Sequence, residues 1–257
     1  MIPYNAITAH GVSHPWPTRE QIEQDLLLDQ AICEIYQDEF LGTELAFRGG
    51  TALHKLFLPE PFRYSEDLDF VRTTSGGIGT IIDQIKLIGN QLGYSVATKM
   101  GKFPKIFWKG TTQTGYSLKI KIEINTYERS PALPLINKEY SVESDWYTKA
   151  AFVKTFQAEE LAATKIRALY QRTKGRDLFD LWLMLTLLNI DPDIVCSAFE
   201  RYRPENYSSK NAIENLQKKI QDEKFKSDMD YIAAGIISDY KITEAASLVI
   251  NKILSRL

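Results

Sequence analysis

The sequence predicts an α+β protein in which a mixed or antiparallel sheet forms an N-terminal lobe and an α-helical lobe follows it. Two observations support this class. Short segments of strand-like alternation, separated by small turns, are concentrated in the first half, whereas helical periodicity continues from residue 157 to the end. An irregular, proline-containing stretch at 129–156 separates the two patterns. We therefore expect a first lobe at 1–150, with an N-terminal helix, and a helical lobe at 151–257.

Composition sets broad limits on the class of protein. The 257 residues are 44% hydrophobic and 25% charged, with a formal net charge of −2, which is typical of a soluble protein and unlike a uniformly basic nucleic-acid binder. No apolar run is long enough to span a membrane, so we expect a cytoplasmic protein without membrane association. Cys33 and Cys196 lie in apolar helical patterns and are expected to be packed side chains. The histidines His10, His14 and His54 look too scattered for a zinc cluster.

The N-terminal elements are predicted from caps, breakers and periodicity. Thr18 and Gln21 have capping-box spacing, so the first helix is expected to start there. A strand at 45–47 is broken by Gly49 and Gly50, after which Thr51 is expected to cap a helix at 52–58. A strand at 67–72 follows.

The remaining elements follow the same reasoning. Residues 73–79 form a glycine-containing connector, and a helix at 80–92 is closed by Gly93. Strands are predicted at 94–99, 102–109 and 116–125, paired antiparallel through short turns. Helices of the second lobe are predicted at 157–170, 176–188, 193–201, 209–221 and 243–257.

The chemistry of the N-terminal lobe is indicated by an Asp-x-Asp pair. The two-residue period of a strand places Asp67 and Asp69 on one face, where their oxygens suit a hard divalent cation such as Mg²⁺ or Mn²⁺. Glu123, on the alternating strand at 116–125, is the candidate third ligand. The alternative for Glu123 is a solvated residue paired with Lys121 or with a lysine of a neighbouring strand.

A second element lies between the strand at 45–47 and the following helix. Gly49 and Gly50 leave backbone N–H groups accessible to a phosphate, and the start of a helix favours an anion. Gly49, Gly50 and Thr51 are therefore predicted to bind a triphosphate.

Three blocks in this order resemble a known family. They are RGGTAL at 48–53, RYSEDLDF at 63–70 and RDLFDLW at 176–182. The Gly-Gly-Thr and Asp-Leu-Asp signatures are similar to those of DNA-polymerase-β-like nucleotidyltransferases. The three blocks together resemble the AbiEii toxin family of bacterial nucleotidyltransferases, which includes the MenT toxins.

The resemblance implies a polymerase-β-like core that transfers a nucleoside monophosphate from an NTP, with tRNA 3′ ends as acceptors and an antitoxin protein as partner. It implies that Asp67 and Asp69 bind the metal and that Ser65 lies beside them. Lys165 would contact the nucleotide's phosphates, and Asp180 would orient the nucleotide or neighbouring groups.

Several alternatives stay open at this point. Arg63 and Arg176 suit either bidentate phosphate binding or structural ion pairs. The lysines and aromatic residues between 99 and 121 suit either an amphipathic sheet or an RNA-binding groove. The acceptor could also be a protein or a small molecule, and the fold could be a non-catalytic binding module.

Overall fold

A mixed sheet forms the centre of the N-terminal half in the computed structural model, which describes residues 2–230, 232 and 239–257. Its strands are Leu45–Arg48 (β1), Asp67–Arg72 (β2), Ser95–Lys99 (β3), Lys105–Thr111 (β4), Ser117–Asn125 (β5), Ile136–Glu143 (β6) and Thr148–Thr155 (β7). Their order is β3-β4-β5-β2-β1-β7-β6. The β2–β5 and β1–β7 pairs are parallel and the others antiparallel, which confirms the predicted α+β class and mixed sheet.

Helices flank the sheet and make up the C-terminal half. They are Tyr4–Ser13 (α1), Arg19–Gln37 (α2), Glu39–Glu44 (α3), Gly49–Leu56 (α4), Gly79–Gln91 (α5), Ala158–Gln171 (α6), Gly175–Thr186 (α7), Pro192–Phe199 (α8), Ser209–Lys219 (α9), Glu223–Lys226 (α10) and Ile242–Lys252 (α11). Most lie within a few residues of the predicted bounds. The capping box at the start of α2 is confirmed, because the Thr18 hydroxyl accepts from the Gln21 backbone N–H and the Gln21 side chain accepts from the Thr18 N–H.

The segment at 129–156 corrects the sequence-based expectation. It was expected to be irregular, but β6 and β7 form a regular hairpin there that joins the sheet beside β1. The two strands are mostly exposed on one face, so their apolar alternation is sparse. The strands are defined by pairing with each other along their length rather than by a strong local pattern, and β7 meets β1 at Thr155 and Phe47.

The N-terminal segment also differs from the sequence-based prediction. The first helix is α1, not the helix that starts after Thr18. Only Ala6 and Ile7 of α1 are buried, which leaves little helical periodicity to detect. This helix brings His10 and His14 next to Asp25 of α2. The expectation that the histidines are too scattered for a metal cluster is therefore wrong for two of the three.

The two halves share a hydrophobic core. Ala46, Leu53 and Val71, from β1, α4 and β2, pack in one cluster with the apolar faces of α6, α7, α8, α9 and α11. Strand β7 runs through residue 150 and ends at Thr155. The helical half is thus held directly against the strands that carry the candidate site.

Other sequence-based expectations concern single residues and spans. Cys33 is buried, Cys196 is half-buried, and both are free thiols. Within the described ranges, no helix has the length and apolar character needed to cross a bilayer.

Candidate active site

Three carboxylates lie on one face of two neighbouring parallel strands. Leu68 and Phe70 of β2 are buried on the opposite face, and the half-buried Asp67 and Asp69 alternate with them as predicted. In the β2–β5 register Asp69 pairs with Glu123. The three acids proposed from the sequence are therefore neighbours on one surface of the sheet.

Lysines partly neutralise this acidic face. Lys121 Nζ lies 2.6 Å from Asp67 Oδ2, and Lys105 Nζ lies 2.9 Å from Glu123 Oε2. Burial, together with the negative charge of Asp67, raises the pKa of Asp69. The pairing of Glu123 with a cross-strand lysine, open from the sequence, is thus present, and a cation entering this face competes with two ammonium groups for the same oxygens.

The glycine pair after β1 approaches other groups too closely for any side chain. Gly49 has φ of +84°, and a Cβ there would lie 2.7 Å from Asp69 Oδ2. A Cβ on Gly50 would lie 2.2 Å from a guanidinium nitrogen of Arg63. The turn is therefore fitted to the two side chains beside it, and its backbone N–H groups open α4 next to the acidic face.

Gly49→Ala is expected to be damaging for both reasons. Positive φ costs an alanine about 1 kcal/mol, and the new methyl group would displace the Asp69 carboxylate. We expect reduced stability in urea unfolding together with reduced nucleotidyl transfer. Gly77→Ala is the matched control, since nothing lies within 4 Å of a Cβ at Gly77 and its φ is not positive. Equal stability and activity of the two variants would contradict this account.

Thr51 lies inside α4 rather than at its N-cap, which Arg48 occupies without a side-chain cap, so the predicted capping role is wrong. Its hydroxyl donates to the carbonyl of Asp67 at 2.5 Å and lies 2.7 Å from Ser65 Oγ. The helix begins two residues earlier, at Gly49, so the Thr51 hydroxyl faces the β2 carbonyl instead of the first helical N–H groups. Thr51 and Ser65 together fix the start of the strand that carries the acids.

The helical half contributes a buried cation. Lys165 of α6 is only 6% exposed, and its Nζ lies 2.6 Å from Asp180 Oδ2 and 3.4 Å from Asp177 Oδ1. Asp177 also accepts two hydrogen bonds from Arg172, at 2.7 and 2.8 Å. Both aspartates of the RDLFDLW block thus hold the cations at the edge of the cleft.

Asp180 is the centre of a fully buried network. Arg63 donates to both of its oxygens at 2.7 Å, and His54 Nε2 lies 3.0 Å from Oδ1. Burial alone would raise the pKa of Asp180, but the charges of Arg63 and Lys165 hold it well below its usual range. Burial lowers the pKa of His54 to about 4. The geometry therefore shows the ion-pair alternative for Arg63. Its guanidinium group connects the segment that precedes β2 to α7 through two hydrogen bonds to Asp180.

Open space separates the two sets of residues. A cavity of about 560 Å³ has Gly49, Asp69 and Glu123 on one wall and Lys165, Arg167 and Arg172 on the other. A second, of about 280 Å³, continues along Asp67 and Ser65 to Arg176. Most residues selected from the sequence therefore border one cleft. Asp180 supports it from behind, and the buried Thr51 lines a different cavity.

Sequence reasoning missed an ion cluster that closes one end of the cleft. Glu128 accepts from Arg48 at 2.7 Å, from Asn125 at 2.9 Å, and from Arg167 of α6. Arg48 belongs to the RGGTAL block, but nothing in the sequence indicated its partner. The cluster joins β1 and β5 to the helical half.

Glu128 gives a stability prediction that depends on pH. Burial would raise its pKa, but hydrogen bonds from Arg167 and Arg48 lower it to about 2. A lowered pKa means that the ionised form stabilises the folded state above about pH 4.3, the ordinary value, and that this contribution fades as the pH falls toward 2. We expect Glu128→Gln to cost about 2 kcal/mol at pH 7 and progressively less below pH 4.

Urea unfolding of wild type and variant at several pH values measures this difference. Glu139→Gln, an exposed glutamate on β6, serves as the control. A cost for Glu128→Gln that stays constant down to pH 3 would contradict the proposed ion cluster.

The acidic face continues into a basic one. Lys105, Phe107 and Lys109 of β4 pair in register with Glu123, Lys121 and Lys119 of β5. Lys119 Nζ lies 5.7 Å from the centre of the Phe107 ring. The alternating residues on the other side, including Ile106 and Trp108, are buried. The exposed Lys109 and Lys119 and the half-buried Phe107 therefore lie on the same surface as the carboxylates.

Comparisons with known proteins agree with this architecture. A family model described as "Nucleotidyl transferase AbiEii toxin, Type IV TA system" matches residues 30–242. No curated protein sequence matches the chain significantly. Among solved structures, MenT4, a nucleotidyltransferase toxin from Mycobacterium tuberculosis H37Rv, is 14% identical with a TM-score of 0.52, and the match covers 97% of this chain and 99% of that one.

A second solved structure is an antigenic nucleotidyltransferase-like protein from Paracoccidioides brasiliensis. It is 18% identical with a TM-score of 0.47, and the match covers 79% of this chain and 92% of that one. At sequence identities of 14% and 18%, a structural match indicates a similar fold only. The first match confirms the expected nucleotidyltransferase core.

Proposed function

Because this chain belongs to the AbiEii family of nucleotidyltransferase toxins of type IV toxin-antitoxin systems, we propose that it transfers a nucleoside monophosphate from an NTP to a hydroxyl at a tRNA 3′ end. The observation that carries the proposal is the cleft itself. Asp69, Glu123 and a glycine turn form one wall of the larger cavity, and a buried lysine with two arginines forms the other. Asp67 borders the adjoining cavity. An acidic wall facing a basic wall suits a polyphosphate with its bound cation, because the acids can hold the cation and the basic groups can contact the phosphates.

Asp67, Asp69 and Glu123 are the residues that would hold a divalent cation. The donor set fits, because carboxylate oxygens are the ligands that Mg²⁺ and Mn²⁺ prefer. Burial, and after it the negative charge of Asp67, raises the pKa of Asp69. When bound, the ion supplies charge neutralisation at the reacting phosphates. Lys121 and Lys105 moderate the same charge before a cation arrives.

We assign the nucleotide's phosphates to the space between the glycine turn and α6. The N–H groups of Gly49 and Gly50 open α4 toward this space, and Lys165 borders it from the opposite wall. Ser65 and Thr51 keep Asp67 in place through their hydroxyls. Asp180 and Arg63 act as positioning residues, since their contacts are with Lys165, His54 and each other.

The acceptor hydroxyl would approach from the basic sheet face. Lys105, Lys109 and Lys119 lie beside the carboxylates on β4 and β5, where they suit a phosphate backbone, and Phe107 offers a ring for stacking. This placement favours RNA over a small molecule as acceptor. The 1–150 half would then bind the metal and acceptor, and the 151–257 half would close over the nucleotide. A cognate antitoxin protein is the partner that this role requires.

The test is transfer of label from each of the four α-labelled NTPs to total tRNA, to protein and to small-molecule acceptors, with Mg²⁺ or Mn²⁺. We expect labelled tRNA, removal of activity by a chelator, and affinity for tRNA that falls steeply with salt, because several phosphates are contacted. Label found on protein or on a small molecule alone would mean that the acceptor is not tRNA, while the protein would still be a nucleotidyltransferase. No transfer to any acceptor would overturn the proposal.

A further inference from the structure

A cluster of imidazole and carboxylate groups lies outside the cleft. It consists of His10 at the end of α1, His14 directly after that helix, and Asp25 on α2. One ligand atom from each residue lies within 4.8 Å of the other two. Within the described parts of the chain, this is the one group of three such residues that meets that spacing. Asp67, Asp69 and Glu123 border other cavities.

We propose that His10, His14 and Asp25 form a binding site for a divalent transition metal of the zinc class, distinct from the cation site of the cleft. Two imidazoles with one carboxylate are a donor set that suits Zn²⁺, Ni²⁺ or Cu²⁺ and is poorly suited to Mg²⁺. The proposal is independent of the nucleotidyltransferase reaction.

The local fold brings the two imidazoles together. His10 and His14 are one helical turn apart, and the backbone N–H of His14 donates to the carbonyl of His10 at 2.8 Å. Their rings are stacked with centres 3.9 Å apart and planes within 9°. Both side chains therefore leave the same face of the helix end, as binding of one metal ion by both requires.

Asp25 completes the set from the neighbouring helix. His10 Nε2 lies 2.8 Å from Asp25 Oδ2, and Asp25 is only 1% exposed. Ligand atoms lie about 2.0 to 2.2 Å from a zinc ion, so an ion placed among these atoms requires them to move by about 1 Å. The movement that the proposal requires is rotation of the two stacked imidazole rings toward a common ion.

Neighbouring groups orient the ligands. Ser13 Oγ lies 2.9 Å from His14 Nδ1, which leaves Nε2 of that ring for a metal. Lys55 Nζ lies 2.7 Å from Asp25 Oδ1, so the other oxygen, Oδ2, is the one that faces the histidines. Such supporting contacts are usual around metal ligands.

Charge and access also favour a cation. Lys55 is shared by Asp25 and Asp29, with its Nζ 2.6 Å from Asp29 Oδ1, so one ammonium faces two carboxylates. His10, His14 and Asp25 line a cavity of about 380 Å³, which leaves room for a water as a fourth ligand. A bound ion would connect α1 to α2 and, through Lys55, to the helix that follows the glycine turn.

The experiment uses the full-length, metal-stripped protein with Asp67→Asn and Asp69→Asn, so that the cleft does not contribute. Calorimetric titration is expected to give one Zn²⁺ per chain, unaffected by excess Mg²⁺, with a rise in melting temperature. His10→Gln and His14→Gln are each expected to weaken Zn²⁺ binding by about 100-fold or more. Asp83→Asn, a change at an exposed side chain of α5, is expected to leave Zn²⁺ binding unchanged. No Zn²⁺ binding, or equal binding in the histidine variants, would overturn the proposal.

A second measurement covers the case in which the histidine variants do not fold. Diethyl pyrocarbonate modifies accessible imidazoles, and mass spectrometry locates the modified residues in the protein with both histidines intact. Zn²⁺ is expected to protect His10 and His14 together. Unchanged modification of both residues at saturating Zn²⁺ would contradict the assignment.

Discussion

Asp67→Asn and Asp69→Asn are each expected to lower the rate of nucleotidyl transfer by roughly 10³-fold or more, with little effect on folding. Each change removes one negative charge and one oxygen ligand from the face proposed to hold the cation. The fold should tolerate the change, because burial and the charge of Asp67 already disfavour an ionised Asp69. We therefore expect a melting temperature for Asp69→Asn that equals or exceeds that of the wild type.

The measurement combines label transfer with thermal unfolding of the same preparations. Asp83→Asn is the matched control, since it makes the same substitution at an exposed carboxylate on α5 that pairs with Lys86 at 3.1 Å. Activity near the wild-type level in both cleft variants would show that the two carboxylates are not needed for catalysis. A loss of activity that tracks a loss of stability would assign them a structural role instead.

Asp180→Asn is expected to give the largest loss of stability, about 3 to 5 kcal/mol. Asp180 is fully buried and receives three cationic or imidazole partners, Arg63, Lys165 and His54. An amide would leave the guanidinium and the ammonium without their shared counter-charge in a dry environment. Activity should fall as well, because Lys165 would lose its nearest partner at 2.6 Å.

A double-mutant cycle separates this network from generic damage. Arg63→Met in the Asp180→Asn background removes one stranded charge, so we expect the double variant to be more stable than the sum of the two single costs predicts. Asp193→Asn is the control, since its pair with Arg256 is exposed, and its cost should stay within about 0.5 kcal/mol. Additive costs for Arg63 and Asp180 would show that the two residues are not coupled as the structure indicates.

Local patterns predicted most of the elements and the residues of the cleft. The Thr18 capping box, the strand at Asp67–Arg72 and the helix closed by Gly93 were predictable because caps, alternation and positive φ depend on a few neighbouring residues. The β6–β7 hairpin was missed, since its strands are mostly exposed on one face and have little apolar alternation. Helix α1 was missed because it buries only two apolar residues.

The sequence by itself determined which groups are proposed to carry the chemistry: the Asp-x-Asp alternation, the glycine pair before a helix, and the three ordered blocks. Only the tertiary structure decided what those groups touch. It placed Glu123 beside Asp69 through a parallel strand pair, enclosed Asp180 between Arg63 and Lys165, and brought Asp25 to two histidines. The physical reason is that strand register and helix packing bring together residues distant along the chain, and both are set by burial of the shared core rather than by any local pattern.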